Sequence, residues 1–575
     1  MKATIILLIL LTLQYLGYSQ PHSAAVHCSV GKMNAFNKTP QRPTVEDVRE
    51  DDYDARYVHL DVAANNLNNS IGGSVTTNAV VVAASMNAYV FELLNELTID
   101  SVVYNGAGLP VTTNGVVRTA TLPSPLAAGT PFSIKVYYHG QPTFGPGFFS
   151  TGIRTETSTE WGSSITYTLS EPFSARDWWP VKQSLRDKID SADIWITVPS
   201  HLKAGSNGLL QNVTPMPGNQ SRYEWKNSYP IDYYLISLSV STYTDYSYYM
   251  HFDNSNDSML FQNYVYDNPA YLPTVQTNID STVMMINYFS ELFGRYPFWK
   301  EKYGHCVTPL GGGMEHQTMS TMGGFGTWLI AHELAHQWFG DYVTCASWND
   351  IWLNEGFASY CEYLFDYKFH SAERGAVKME AVHNEVMAQP DGSVYVIDST
   401  NVNRIFSGRL SYNKGSAAIH TLRFEANNDS LFYQTLRDYQ QTFAHGTANT
   451  EQFKTIVEAN YGRNMDTFFN QWIYGEGYPT FAARWNQNEN YVIIQLNQTT
   501  SAPGSVPFFN TPLEIKLSSP QGDTIVRLQT NNATGIYTFN WSKPMSSMDI
   551  DPNNWIVNKN GAVIRDRGLG IKCFD

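Results

Sequence analysis

Apolar and polar residues alternate in short runs over the first part of the chain. Val58, Leu60 and Val62 form one such run, and Phe132, Ile134, Val136 and Tyr138 another. Ile194, Ile196 and Val198 repeat it, as do Ile236, Leu238 and Val240. A period of two, broken by Asn, Gly and Pro clusters, predicts a half-buried antiparallel sheet over 51–244. The period then lengthens. Ile279, Val283, Ile286, Phe289 and Leu292 follow helical spacing up to Gly294 and Pro297, and 432–474 reads as several more helices. A mostly helical domain is therefore expected at 245–480. Alternation returns in Val492, Ile494 and Leu496 and in Leu513, Ile515 and Leu517, predicting a small β-sandwich over 481–575. Residues 20–50 are polar without a period and are expected to form a loose leader. The predicted class is multidomain α+β, in keeping with a prior of about three to four domains for a chain of 575 residues.

The first residues depart from all of these patterns. Met1-Lys2 gives a positive start, Ile5–Leu13 an apolar run, and Gly17-Tyr18-Ser19 a small-x-small site. This predicts a signal peptide at 1–19, cleavage after Ser19 and export; the alternative is an uncleaved anchor. The run is short for a bilayer, and no later stretch is apolar enough to insert stably.

Composition narrows the partners. Hydrophobic residues make up 43%, enough for folded cores. The formal net charge of −15 and the lack of a basic stripe exclude a nucleic-acid binder. The cysteines are Cys28, Cys306, Cys345, Cys361 and Cys573, an odd number with no C-x-x-C pair. In an exported chain Cys345 and Cys361 could form a bridge bracing the segment between them; buried free thiols are the equal alternative.

The strongest chemical signal is Trp328-Leu329-Ile330-Ala331-His332-Glu333-Leu334-Ala335-His336, followed by Trp352-Leu353-Asn354-Glu355-Gly356. Two histidines four apart on a helix share a face and can hold one zinc ion. Glu333, beside the first, is suited to take a proton from the attacking water. A third protein ligand is required. The residues three and six past His336 are Phe339 and Tyr342, not the glycine and histidine of metzincins. A carboxylate is therefore expected, and Glu355 is the candidate.

Trp338-Phe339-Gly340, Val343-Thr344 and Trp352–Gly356 together resemble the gluzincin zinc aminopeptidases, the family of aminopeptidase N and leukotriene hydrolase. There 18 residues separate the second histidine from the glutamate ligand, the gap that 337–354 supplies. Phe293-Gly294-Arg295-Tyr296-Pro297-Phe298 and Glu301-Lys302-Tyr303-Gly304 share the likeness. The resemblance implies a thermolysin-like catalytic domain holding one zinc ion per chain on His332, His336 and Glu355. In Gly311-Gly312-Gly313-Met314-Glu315-His316 it implies an edge strand that aligns substrate, through Gly312, Gly313 and Met314, with Glu315 on the α-amine. His316 replaces the family's asparagine, which alters how the scissile peptide is oriented; an added zinc-ligand role for it is disfavoured by its place on that strand. Glu171, in Thr168-Leu169-Ser170-Glu171-Pro172, falls where the family places a second amine-binding group. Tyr412, in Ser411-Tyr412-Asn413-Lys414-Gly415, matches the tyrosine that steadies the oxyanion. Longer members carry a further helical domain. The chain ends at Asp575, so a secreted bacterial-type member without it is expected.

The expected function is zinc-dependent removal of amino-terminal residues from peptides with a free α-amine. The alternatives are a thermolysin-like endopeptidase and a silent peptide-binding relative. Residue preference and oligomeric state do not follow from the sequence.

Overall fold

In the computed structural model, which describes residues 47–143 and 152–570, the first alternating runs form an eight-stranded sheet. Its middle strands are Ser191–Pro199, Tyr53–Ala63, Ile71–Val81 and Pro131–Gly140 in spatial order. Leu60, Val62, Ile194 and Ile196 lie on the buried face, as a period of two requires. The sheet departs from the antiparallel expectation at one pair. Tyr53–Ala63 runs parallel to Ser191–Pro199, with Leu60 opposite Ile194. Parallel neighbours need a long crossover, and the whole stretch between these two strands serves as one.

A second sheet orders Lys203–Ser206, Leu238–Ser241, Ser164–Thr168 and Ile153–Thr157. Ile236 precedes the strand proper, as the extended cap of a 3-10 turn over Tyr233–Leu235. The proposed signal peptide lies outside the described residues, as does most of the polar stretch 20–50. The last residues of that stretch are ordered: Val48–Asp52 forms a 3-10 turn that buries Glu50.

The second half of the chain opens with a five-stranded sheet. Its spatial order is Thr244–His251, Ser258–Val265, Lys302–Val307, Ser320–Met322 and Gly313–Met314, which places Gly313–Met314 at the edge. Five helices matter for the site: α1 (Tyr271–Phe293), α2 (Thr327–Ala335), α3 (Trp352–Phe369), α4 (Ala372–Val386) and α5 (Gly415–Ala426). α1 stops at Gly294, whose φ of 100° is a backbone conformation that L side chains rarely adopt. Gly356 of α3 and Gly415 of α5 let these two helices meet backbone to backbone; a Cβ on Gly356 would sit 3.1 Å from Gly415.

Two further sheets close the chain, four-stranded around Pro479–Asn488 and Tyr491–Thr500 and three-stranded around Pro512–Ser518. Val492, Ile494, Leu496, Leu513, Ile515 and Leu517 are all buried. The Trp555 ring stacks on His420 of α5, 4.6 Å between centroids.

Buried apolar residues form one continuous cluster from Tyr53 to Val557. Two lysines tie the first domain to the second half of the chain. Lys188 donates to the backbone carbonyl of Asp341 at 2.6 Å, in the turn after α2. Lys302 donates to Ser206 O at 2.8 Å and lies 3.9 Å above the Trp225 ring. Cys345 and Cys361 form no bridge: both are buried free thiols, as is Cys306. Burial pushes the Cys345 and Cys361 thiols well above their ordinary pKa, so they pack as small apolar side chains.

Candidate active site

α2 is short, apolar and enclosed, with Ile330, Ala331, Leu334 and Ala335 at zero exposure. Its regular span ends at Ala335. His336 continues in helical conformation and donates its backbone N–H to His332 O at 3.3 Å. The two imidazoles therefore keep the one-turn spacing expected of them, with ring centroids 4.8 Å apart. The chain then folds back at Gly340, φ 142°, where a Cβ would press to 3.2 Å from His336 Nδ1.

α3 brings Glu355 against both rings. Its Oε2 lies 3.2 Å from His332 Nε2 and 3.3 Å from His336 Nε2. These three residues form a buried donor set whose ligand atoms all lie within 4.8 Å of one another. Ligand atoms around a tetrahedral zinc at ~2.0–2.1 Å stand roughly 3.3–3.4 Å apart, so the spacing and the N2O donor chemistry fit that ion. His316 is not among the converging donors; its Nδ1 is 2.8 Å from Thr321 Oγ1.

The other ring nitrogens are oriented by partners that sequence reasoning missed. His332 Nδ1 faces Glu362 Oε1 at 3.0 Å, and Glu362 Oε2 accepts from Lys378 of α4 at 2.6 Å. His336 Nδ1 faces the Phe339 carbonyl at 3.1 Å. Both arrangements make Nδ1 the proton-bearing nitrogen and turn Nε2 to the donor set. Burial works against charge on His332, but Glu355 and Glu362 outweigh it and push its pKa up to about 10. Burial likewise opposes charge on Glu362, yet Lys378 and His332 hold its carboxyl below the usual range. The His332 shift thus stems from the negative charge that Glu355 and Glu362 bring to the ring. Glu362 lies seven residues after Glu355, two turns along one helix face, which is the signal that could have found it. Glu362→Ala is expected to weaken zinc binding about 10–100-fold, measured by chelator competition; unchanged affinity would remove it from this role.

Glu333 is buried beside the edge strand. A Cβ on Gly313 would lie 2.3 Å from Glu333 Oε1, so only glycine lets the strand pass this close. Glu315, Glu333 and His336 form a second convergent set within 4.8 Å, which brings Glu315 to the zinc donors. Gln337 holds that strand to α2: its Nε2 donates to Glu315 O at 3.2 Å, and its Oε1 accepts from Thr318 N at 2.9 Å.

Glu171 arrives from the first domain and is fully buried. Tyr234 shows where it sits. Burial raises the Tyr234 phenol well above its ordinary pKa, and the negative charges of Glu315 and Glu171 raise it further, so both carboxylates share its neighbourhood. Met314 and His316 are also buried, and Gly312 takes φ 153°.

Tyr412 lies in a π-helical turn, Gly408–Lys414, a local geometry that often marks functional positions. Its hydroxyl donates to Glu355 Oε1 at 2.6 Å, and its ring stacks on His332 at 5.9 Å. The phenol expected to face an oxyanion is thus placed at the edge of the donor set.

Residues 278–472 match the Peptidase family M1 domain. The chain is 28% identical to aminopeptidase N of Bos taurus over 42% of this chain and 28% of that protein. It is 23% identical to glutamyl aminopeptidase of Rattus norvegicus over 68% of this chain and 43% of that protein. The chain thus spans less than half the length of these relatives. Its fold is that of the M1 zinc metallopeptidase from Deinococcus radiodurans, with TM-score 0.65 at 24% identity, covering 73% of this chain and 94% of that one. A mutant of that protein has been solved bound to a Tyr-Ser-Ala substrate. The zinc-type donor set, the adjoining glutamate and the edge strand therefore lie within a peptidase family M1 domain, which this chain carries over residues 278–472.

Proposed function

We propose that the protein is a zinc aminopeptidase that hydrolyses the first peptide bond of peptides with a free α-amine. The observation that carries this reading is the convergence of buried Glu315 and Glu333 on His336 of the donor set, with buried Glu171 acting on the same Tyr234 phenol as Glu315. A pair of anions suits one ammonium group, and an ammonium held by Glu315, next to His336, brings the first peptide bond to the donor set.

Zinc bound by those three residues would supply Lewis acidity to the scissile carbonyl and the attacking water. Glu333 takes the proton of that water and passes it to the leaving amine. Gly312, Gly313 and Met314 align the substrate backbone along the outermost strand. Tyr412, whose hydroxyl donates to Glu355 Oε1, would supply that hydroxyl to the carbonyl oxygen as negative charge develops on it.

The test is to measure zinc content and compare an unblocked peptide with its N-acetyl form. Stoichiometric zinc, release of the first residue and an inert blocked peptide are expected. Internal cleavage of the blocked peptide would favour an endopeptidase; zinc without hydrolysis of either would favour a silent relative.

The amino-terminal pattern supports export of the mature chain to the periplasm, cell surface or medium. Among the described residues no helix is long and apolar enough to cross a membrane. Amino-terminal sequencing of the native protein should begin at Gln20; an intact Met1 would overturn the cleavage.

A further inference from the structure

Two segments leave the amine-binding carboxylates and meet again farther on. One runs back from Glu315 through the edge strand Gly313–Met314, then Gly312 and Gly311, to Pro309. The other runs back from Glu171 into the hairpin of Ser164–Thr168 and Ile153–Thr157, whose tip carries Trp161. Pro309 and Trp161 line one cavity of about 660 Å³, together with Gly323 and Gly324. Gly323 donates its N–H to Gly312 O at 2.7 Å, which joins the cavity wall directly to the substrate-aligning segment. A strand advances about 3.3 Å per residue. An extended peptide laid along this segment with its amine at Glu315 would come level with Pro309, six positions back, at roughly its fourth to sixth residue.

The walls have a definite chemistry. The Trp161 and Tyr271 rings meet edge to face at 4.9 Å, and Tyr266 packs on Tyr271 at 4.8 Å. Glu160 stands exposed at the rim. Glu156, also in the lining, is occupied by Arg154 at 2.6 Å and by the Tyr167 hydroxyl. No Lys, Arg or His lines the cavity among the described residues. Aromatic faces beside the exposed Glu160 carboxylate, with Arg154 engaged on Glu156 and no cation in the lining itself, match an ammonium or guanidinium group on an aliphatic stem.

We propose that this cavity is a downstream subsite for a Lys or Arg side chain about four to six residues from the substrate's free amino terminus. The protein thereby reads the length and charge of the peptide beyond the bond it cuts. The proposal rests on the aminopeptidase reading above.

The test uses the full-length protein with three substrates: an aminoacyl anilide, a dipeptide, and hexapeptides carrying Lys or Glu at positions four, five and six in turn. At one of these positions the Lys hexapeptide should exceed its Glu counterpart and the dipeptide in kcat/KM by about fivefold. Glu160→Gln should remove the charge preference. Gly324→Leu should remove the length preference, because a Cβ there meets nothing within 4 Å and the added side chain has open space to fill. Both variants should hydrolyse the anilide at the wild-type rate. Anilide turnover with equal rates for all peptides, or a preference that survives both substitutions, overturns the subsite while leaving the aminopeptidase reading intact. If even the anilide is inert, both fall together.

Discussion

Glu333→Gln retains its zinc and loses nearly all turnover. The carboxylate is not one of the three donors: His332, His336 and Glu355 converge as a set without it. The amide has the same shape, so the tight passage beneath Gly313 is preserved. What vanishes is the proton acceptor for the attacking water. General-base removal typically costs ~10²–10⁴-fold in rate, and a loss in kcat of that order is expected, with KM little changed. Steady-state rates on an aminoacyl anilide, paired with metal analysis of the same sample, decide the matter. A variant with near-normal kcat would show that some other group moves the proton.

Glu355→Ala produces the complementary defect, an intact fold with little zinc. Its Oε2 is the atom that both Nε2 atoms face at 3.2–3.3 Å, and its Oε1 holds Tyr412. Alanine leaves two imidazoles and an open side, and the affinity should fall by more than the roughly 10–100-fold expected for an outer partner such as Glu362. Dialysis followed by metal analysis should find substoichiometric zinc, and activity should return only at high added metal. Zinc that stays stoichiometric through dialysis would remove Glu355 from the ligand set.

The regular elements were readable because their burial follows their period. Leu60 and Ile194 alternate into a sheet core, and Ile279, Ile286 and Phe289 stripe α1, so hydrophobic spacing alone announces them. The donor set was readable because His332 and His336 are neighbours on one helix and Glu355 sits in a distinctive frame. Other features depend on distant pairing and left no local mark. The parallel pairing of Tyr53–Ala63 with Ser191–Pro199 is decided by the crossover and not by either strand's pattern. The contact of Glu362 with Lys378 joins two helices, and the grip of Gln337 on Glu315 joins a helix to a strand. The cysteines misled in one reading because proximity to the site suggested a brace, whereas Cys345 and Cys361 are each enclosed separately.

The lysine ties described above bear on how the molecule can be dissected. A gene trimmed to the matched span 278–472 would encode neither Ser258–Val265, the sheet neighbour of Lys302–Val307, nor Lys188. The Asp341 carbonyl would lose its buried donor and face water in its place. Glu171 would be lost with the same cut. On the proposed reading, recognition of the peptide's charged end would belong to the seam between two folding units, and exchanging either unit with a relative would reset it.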